Sequence, residues 1–282
     1  MRYSPDAAHV EVTLSIQIEI RRPVAAATVA ELVWLDDTGR PQAAPATPLL
    51  LGDQPAVAYP YALAAEARQL AAAPVAALVL SDPRMTGSDW QSLAITGRAR
   101  LIEDRDGALF AAQLLRQELR KYPPARALAD SIMLRRENWW YLPRLIVALE
   151  FTSATQVAAR PDATAQLLAV GTGERRLHVD TVRVDESVPD RLQLASLADR
   201  PLPDGPAILF GHDFAVPDLE VWTPWTTRGR LAGGVLAVDQ RPERSTLAPI
   251  PGLWERLRRH RSLERGCRRG IAVASRAAAG RA

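Results

Sequence analysis

Two histidine–carboxylate pairs are the first residues here that could do chemistry: His212-Asp213 in GHDF, and His178 two positions before Asp180. An imidazole beside a carboxylate is an acid–base pair when both reach one substrate. Adjacent in a turn, as His212 and Asp213 are read here, the two ordinarily hydrogen-bond locally. The histidines, His9, His178, His212 and His260, are scattered without metal-ligand spacing, and Cys267 is the only cysteine. No metal site and no intrachain disulfide are therefore expected. There is no GxSxG elbow, no GxGxxG after a strand and no GKS/T loop, which removes the serine-hydrolase, Rossmann and P-loop readings. Aromatic side chains are the other resource. Tyr59 and Tyr61 flank Pro60, and Trp139-Trp140-Tyr141 is a run able to line a flat ring system. On an alternating strand Trp139 and Tyr141 share one face and Trp140 takes the other. No catalytic residue can be named.

The elements that must carry these residues are mostly strands. Residues 10–20 alternate apolar and polar without a break and predict a strand with one wet face. An Asp36–Gly39 turn joins ATVAELVWL to RPQAAPATPLLL as a hairpin, and Gly52–Pro55 turns into AVAYPY. The Ala-rich stretch 63–70 suits a short helix stopped before Pro74. Strands follow at 75–80 and 90–103, then a helix over 107–121 with Asp106 as its N-cap, then a strand over 138–151. Residues 152–163 read as a boundary. Beyond it, strands are expected near 164–170, 175–184, 190–197, 206–211 and 222–239, with Gly171–Gly173 as a turn. The tail from 252 reads as a basic, solvated helix that frays after Ile271. Trp90 precedes Gly97-Arg98 by the spacing at which Trp222 precedes Gly229-Arg230, which suggests an internal repeat.

At 282 residues, 48% hydrophobic and 24% charged, the chain is long enough for two medium domains with real cores. The net charge is only +3 and Lys121 is the only lysine. Read as a uniform arginine excess, this does not point to nucleic acid. The basic run Arg256–Arg269 is the one place where acidic lipid or nucleic acid could be met. Without a signal-like N-terminus or a spanning apolar run, a cytoplasmic location is expected.

In order, DDTGRPQAAP, ARQLAAAPVAALVLSD, DWQSLAITGRARLIEDRDG and NWWYLPRLIVALEF resemble the pyridoxamine 5'-phosphate oxidase-like, FMN- or deazaflavin-binding split-barrel superfamily over about residues 24–152. The resemblance implies a mainly β (α+β) split β-barrel, built as two tandem barrel-like halves with a few short helices and a C-terminal helix. The halves are placed at 1–153 and at 160–282, the second shorter. It implies an FMN or deazaflavin in a groove between two barrels, here a pseudo-dimer within the chain or a homodimer. The groove residues it implies are Thr47, Tyr59, Tyr61, Arg68, Trp90, Gln91 and Trp140. One departure counts against the cofactor. Where relatives hold the phosphate with hydroxyl and basic residues, this chain has Ala64, Ala65 and Glu66, with only Arg68 basic, and an anion leaving water needs donors. Arg98, Arg100 and Arg230 are the possible substitutes.

Two readings follow. One is a flavin- or deazaflavin-dependent oxidoreductase acting on a small-molecule substrate, with hydride or electron transfer done by the ring. The other is a cofactor-free binding or interaction protein on the same fold. Haem is a third ligand to test, with His178 or His212 as its axial residue.

Overall fold

The computed structural model describes residues 20–162, 164–188, 190–243 and 245–280. The strand expected over 10–20 lies outside these residues, save Ile20, which opens a helical run over 20–26 (α1).

Seven strands form the first sheet. They are β1 (Ala30–Leu35), β2 (Pro41–Ala46), β3 (Leu49–Leu51), β4 (Gln54–Pro60), β5 (Ala76–Leu80), β6 (Leu93–Asp104) and β7 (Arg144–Gln156). Their order is β2-β1-β5-β6-β7-β4-β3 and every pairing is antiparallel. The first hairpin forms where the Asp/Gly turn places it. Asp36 Oδ1 accepts from the Thr38 and Arg40 amides at 3.0 and 2.9 Å, and Gly39 takes φ 78°.

Six further strands close into a barrel: β8 (Ala165–Thr172), β9 (Arg176–Asp185), β10 (Arg191–Ser196), β11 (Gly205–Phe214), β12 (Trp222–Ala232) and β13 (Val235–Gln240). Residues 173–175 add a 3-10 turn to the β8–β9 connection. The barrel closes because β9 pairs with both β8 and β10. Gly97 and Gly229, the two repeat glycines, each stand at a register shift, one between β6 and β7, the other between β12 and β13. A Cβ at either would lie 2.2 Å from Glu150 O or 2.0 Å from Ala237 O, so both positions require glycine.

Strand alternation decides how the sheets meet. On β1, Ala30, Leu32 and Trp34 enter the core of the first sheet, while Val33 turns to the barrel; on β5, Leu78 and Val79 divide the same way. Val33, Ala77 and Val79 pack on Leu167, Ala169, Ile208 and Phe210 of β8 and β11. Strand β1 is thus buried on both faces, and Glu31 shares the Val33 side. Arg228 of β12 adds bonds to Pro41 O (3.0 Å) and Gln42 Oε1 (2.7 Å) on β2.

Helix α2 (Ala64–Ala72) leads into β5. The helix after β6 starts at residue 108, passes through a π stretch (Phe110–Leu114) and continues as α3 (Leu115–Lys121). Asp106 caps it through the Ala108 amide (3.0 Å), and Asp104 adds bonds from Leu109 and Phe110 (3.2 and 2.7 Å). Two short helices follow, α4 (Arg126–Ala129) and α5 (Ile132–Glu137).

The expected strand over 138–151 starts only at Arg144. Trp139–Tyr141 is a 3-10 turn continuing α5, with Asn138 N donating to Leu134 O and Tyr141 N to Asn138 O, both at 2.8 Å. Trp140 and Tyr141 are therefore both buried and Trp139 is exposed, so the alternation expected there fails. Strand β7 also runs on to Gln156, into the expected boundary segment.

The tail corrects a second expectation. Helix α6 (Leu253–Ala279) does not fray after Ile271 but docks on the first half, with Cys267 and Ala274 buried. Gly266, Gly270 and Ala274, spaced by four, let it approach closely; a Cβ at Gly270 would sit 2.5 Å from Tyr61 O. On the opposite flank, Gln117 bonds β3 in both directions. Its Oε1 accepts from Leu50 N (2.9 Å) and its Nε2 donates to Leu50 O (2.8 Å). No described helix is long and apolar enough to cross a membrane.

Candidate functional site

Between the β3–β4 edge, the α3–α4 region, the 218–222 segment and α6 lies a cavity of about 930 Å³. Strands β2 to β4 contribute Pro45, Leu49, Val57 and Tyr59, and the β2–β3 connection contributes Thr47. The helical side gives Tyr122, Pro124, Leu128 and Tyr141, and α6 gives Leu257, His260 and Leu263. Arg256 and Arg259 lie at its rim, each already paired, with Glu220 (2.7 Å) and Glu255 (2.5 Å). A buried polar triad lines the same space. Tyr141 Oη donates to Glu118 Oε1 (2.7 Å), Arg144 Nη2 reaches the same oxygen (3.2 Å), and the Arg144 guanidinium sits over the Phe110 and Tyr141 rings. Arg144 Nε has no hydrogen-bond partner among the described residues. Burial, then the Glu118 charge, pushes the Tyr141 hydroxyl well above its ordinary value, and burial raises Tyr59 too, so both stay protonated donors.

Of the residues expected in a cofactor groove, Thr47 and Tyr59 line this cavity. The others lie elsewhere. Trp140 is packed behind the wall, edge-on to Tyr141 and to His260. Tyr61 is buried against α6, its hydroxyl pushed up to about 12 chiefly by burial. Arg68 is exposed on α2 and pairs with Glu103 at 3.4 Å. Trp90 packs against the core of the first sheet, and Gln91 is exposed in the loop before β6.

A second cluster lies under the sheet–barrel interface. Glu31, fully buried, takes Arg160 Nη2 (2.5 Å) and His212 Nε2 (2.9 Å) on Oε1, with Ser81 Oγ at 2.9 Å. Trp222 Nε1 donates to His212 Nδ1 at 3.2 Å. An indole only donates, so Nδ1 must accept and Nε2 carries the proton given to Glu31. The 2.8 Å approach of Arg160 to His212 Nε2 follows from two donors sharing one oxygen. Burial would raise the Glu31 carboxyl; Arg160, His212 and Ser81 together hold it down at about 2.

His212 and Asp213 do not form the local turn pair read from the sequence. They alternate on β11, so His212 points at β1 while Asp213 pairs with Arg84 at 2.6 Å. His178 is half-buried on β9, its Nε2 without a hydrogen-bond partner among the described residues and its basicity lowered by burial, and it is not on the cavity wall. His212, with both nitrogens engaged, is not free to bind a metal. Among the described residues, no three or more His, Cys, Asp or Glu residues come together as a metal cage.

Sequence reasoning missed Glu31, Arg160 and His260. A glutamate within the otherwise apolar AELVWL was the available signal for Glu31. Nothing comparable marks Arg160 in a loop or His260 in an arginine-rich tail.

No family model and no curated protein matches the chain. Among solved structures it is similar to HutZ, the heme storage protein from Vibrio cholerae, at 15% identity over 50% of this chain and 94% of that one, TM-score 0.35. It is similar to a heme binding protein from Mycobacterium smegmatis at 15% identity over 96% and 98% of the two chains, TM-score 0.35. It is also similar, at 14% identity over 82% and 98%, TM-score 0.27, to a pyridoxamine 5'-phosphate oxidase-related, FMN binding protein from Nostoc punctiforme PCC 73102.

Proposed function

We propose that this chain binds a flat, largely apolar ring ligand of flavin or deazaflavin size in the cavity under α6. The observation that supports this is the cavity itself, with Tyr59, Tyr122, Tyr141, Trp222 and His260 on walls otherwise mostly of Leu, Val, Ala and Pro, Glu118, Asp218 and Glu220 also on the lining, and arginines at its rim. Such walls fit a ring. They do not fit a cofactor phosphate in the pose the family resemblance implies, because Ala64, Ala65 and Glu66 offer no side-chain donor there and Arg68 is exposed and paired. No electron-transfer step is assigned to a residue; if the ligand is a flavin or deazaflavin, the ring supplies the redox chemistry and the protein holds it.

A second reading, haem, has one observation in its favour: His260 is on the wall, where His178 is not and where His212 has no free nitrogen.

The test is an absorbance spectrum of the purified chain and titration with FMN, a deazaflavin and haem, repeated on L128W, which narrows the cavity. Saturable binding of a flavin or deazaflavin, weakened in L128W and reduced but retained in H260A, supports the first reading. A haem spectrum lost in H260A supports the second. Binding of none of the three overturns both and leaves a scaffold without a cofactor.

A further inference from the structure

The positive charge of this protein is not spread evenly. Helix α6 carries eight arginines against two glutamates, a net +6, in a chain whose total is +3, so the rest of the chain is net −3. Three of the eight are paired: Arg256 with Glu220, Arg259 with Glu255 and Arg268 with Glu264. Among the described residues, Arg258, Arg261, Arg265, Arg269 and Arg276 have no carboxylate partner, and all five are exposed.

Their spacing of three, four, four and seven puts them in one row along the helix. The row lies opposite the face formed by Leu263, Cys267, Gly270 and Ala274, which holds α6 to the protein. The helix is 27 residues long, about 40 Å. Neighbouring like charges destabilise a helix by a few tenths of a kcal/mol per pair, so the row is set for an external anion. At the N-terminal end of the row Trp254 is 78% exposed, flanked by Leu253 at 71% and Ile250 at 67%.

We infer that α6 is a membrane-surface contact: the arginine row lies flat on a bilayer of anionic phospholipid, and Trp254, Leu253 and Ile250 enter its interfacial layer. A basic row with apolar residues at one end suits a charged plane with an apolar interior. The phosphates of a nucleic acid would use the arginines but leave the exposed Ile250 without a role. Trp254 at the end of the row fits the headgroup level, where tryptophan is favoured. The chain would rest on the surface, with the cavity mouth beside the same helix.

The experiment is co-sedimentation of the full chain with vesicles of phosphatidylcholine alone and with one quarter phosphatidylglycerol, at low and at raised salt. Binding is expected only with phosphatidylglycerol, and it should weaken as salt screens the row. Each arginine near an anionic surface is worth about fivefold in binding. R258Q/R261Q/R265Q should therefore lose about a hundredfold, with its unfolding midpoint and ring-ligand binding unchanged because all three side chains are exposed. W254A should weaken binding to the same vesicles while leaving the salt response intact. Equal binding to both vesicle types, no binding at low salt, or full binding by the triple variant overturns the inference. So does retention on duplex DNA matching or exceeding that on vesicles, or self-association through the row without lipid.

Discussion

Replacing Arg160 by Met should destabilise the protein and change how its stability depends on pH. Glu31 is fully buried, and its carboxyl is held at about 2 against an ordinary 4.5. That depression corresponds to about 3 kcal/mol of stability at neutral pH. The contribution is present above pH 4.5 and is lost as pH falls toward 2, because the unfolded chain takes up the proton first. Arg160 supplies the leading favourable effect, at 2.5 Å from Oε1. In R160M burial remains and its counter-charge is gone, which costs about 3–5 kcal/mol for a buried pair broken on one side. The folded Glu31 pKa would then lie above the unfolded value, so acidification from pH 7 toward 4.5 should stabilise the variant relative to wild type. The assay is urea unfolding of both proteins from pH 4.5 to 7.5. The gap should be widest near pH 7 and shrink on the acid side, and E31Q/R160Q should lose less than the sum of its single variants. A gap below about 1 kcal/mol at pH 7, or one constant across the range, would refute the reasoning.

The other predictions concern α6, the lone lysine and the indole bond. G270L places side-chain atoms where Tyr61 O already stands; it should cost about 1–3 kcal/mol and make the buried Cys267 react with a thiol reagent that leaves wild type untouched. Lys121 Nζ donates to Val24 O and Pro48 O at 2.6 and 2.7 Å, the two bonds a neutral amine can give, and burial with Arg120 lowers it to about 7. NMR of the protein labelled with carbon-13 and nitrogen-15 in its single lysine should show titration near 7. Stability should rise between pH 7 and 10, since the unfolded chain holds more protons there, and K121M should abolish that rise. W222F removes the donor to His212 Nδ1 and should cost about 1 kcal/mol in unfolding experiments.

Much of the strand framework was legible because its signals are local. The Asp36–Gly39 hairpin, the Asp106 cap and the β5 and β11 strands rest on residues within a few positions of each other. The shared Trp–Gly spacing was visible too, and its physical content is a pair of glycines at register shifts where no Cβ fits. Long-range packing was not legible. Residues 31, 160 and 212 meet only once two sheets stack, and no spacing along the chain encodes that. Trp139–Tyr141 misled because aromatic residues favour strands, while here the preceding helix dictates their backbone. In the tail the arginines dominated the reading, and the small residues at 266, 270 and 274, which decide docking, make no apolar stripe to notice. Thr47 and Tyr59 reached the cavity wall, whereas Arg68 and Gln91 remained in solvent.

The glutamine at the sheet margin has a consequence for solubility. An open sheet has two free edges, each a template on which another chain can polymerise. Here β3 is three residues long, and the Gln117 carboxamide already occupies Leu50 N and O as an incoming strand would. At the other edge Pro41 and Pro45 lack the amide donors that cross-chain pairing needs, and the barrel, being closed, has no edge at all. The architecture thus guards itself against strand-by-strand aggregation.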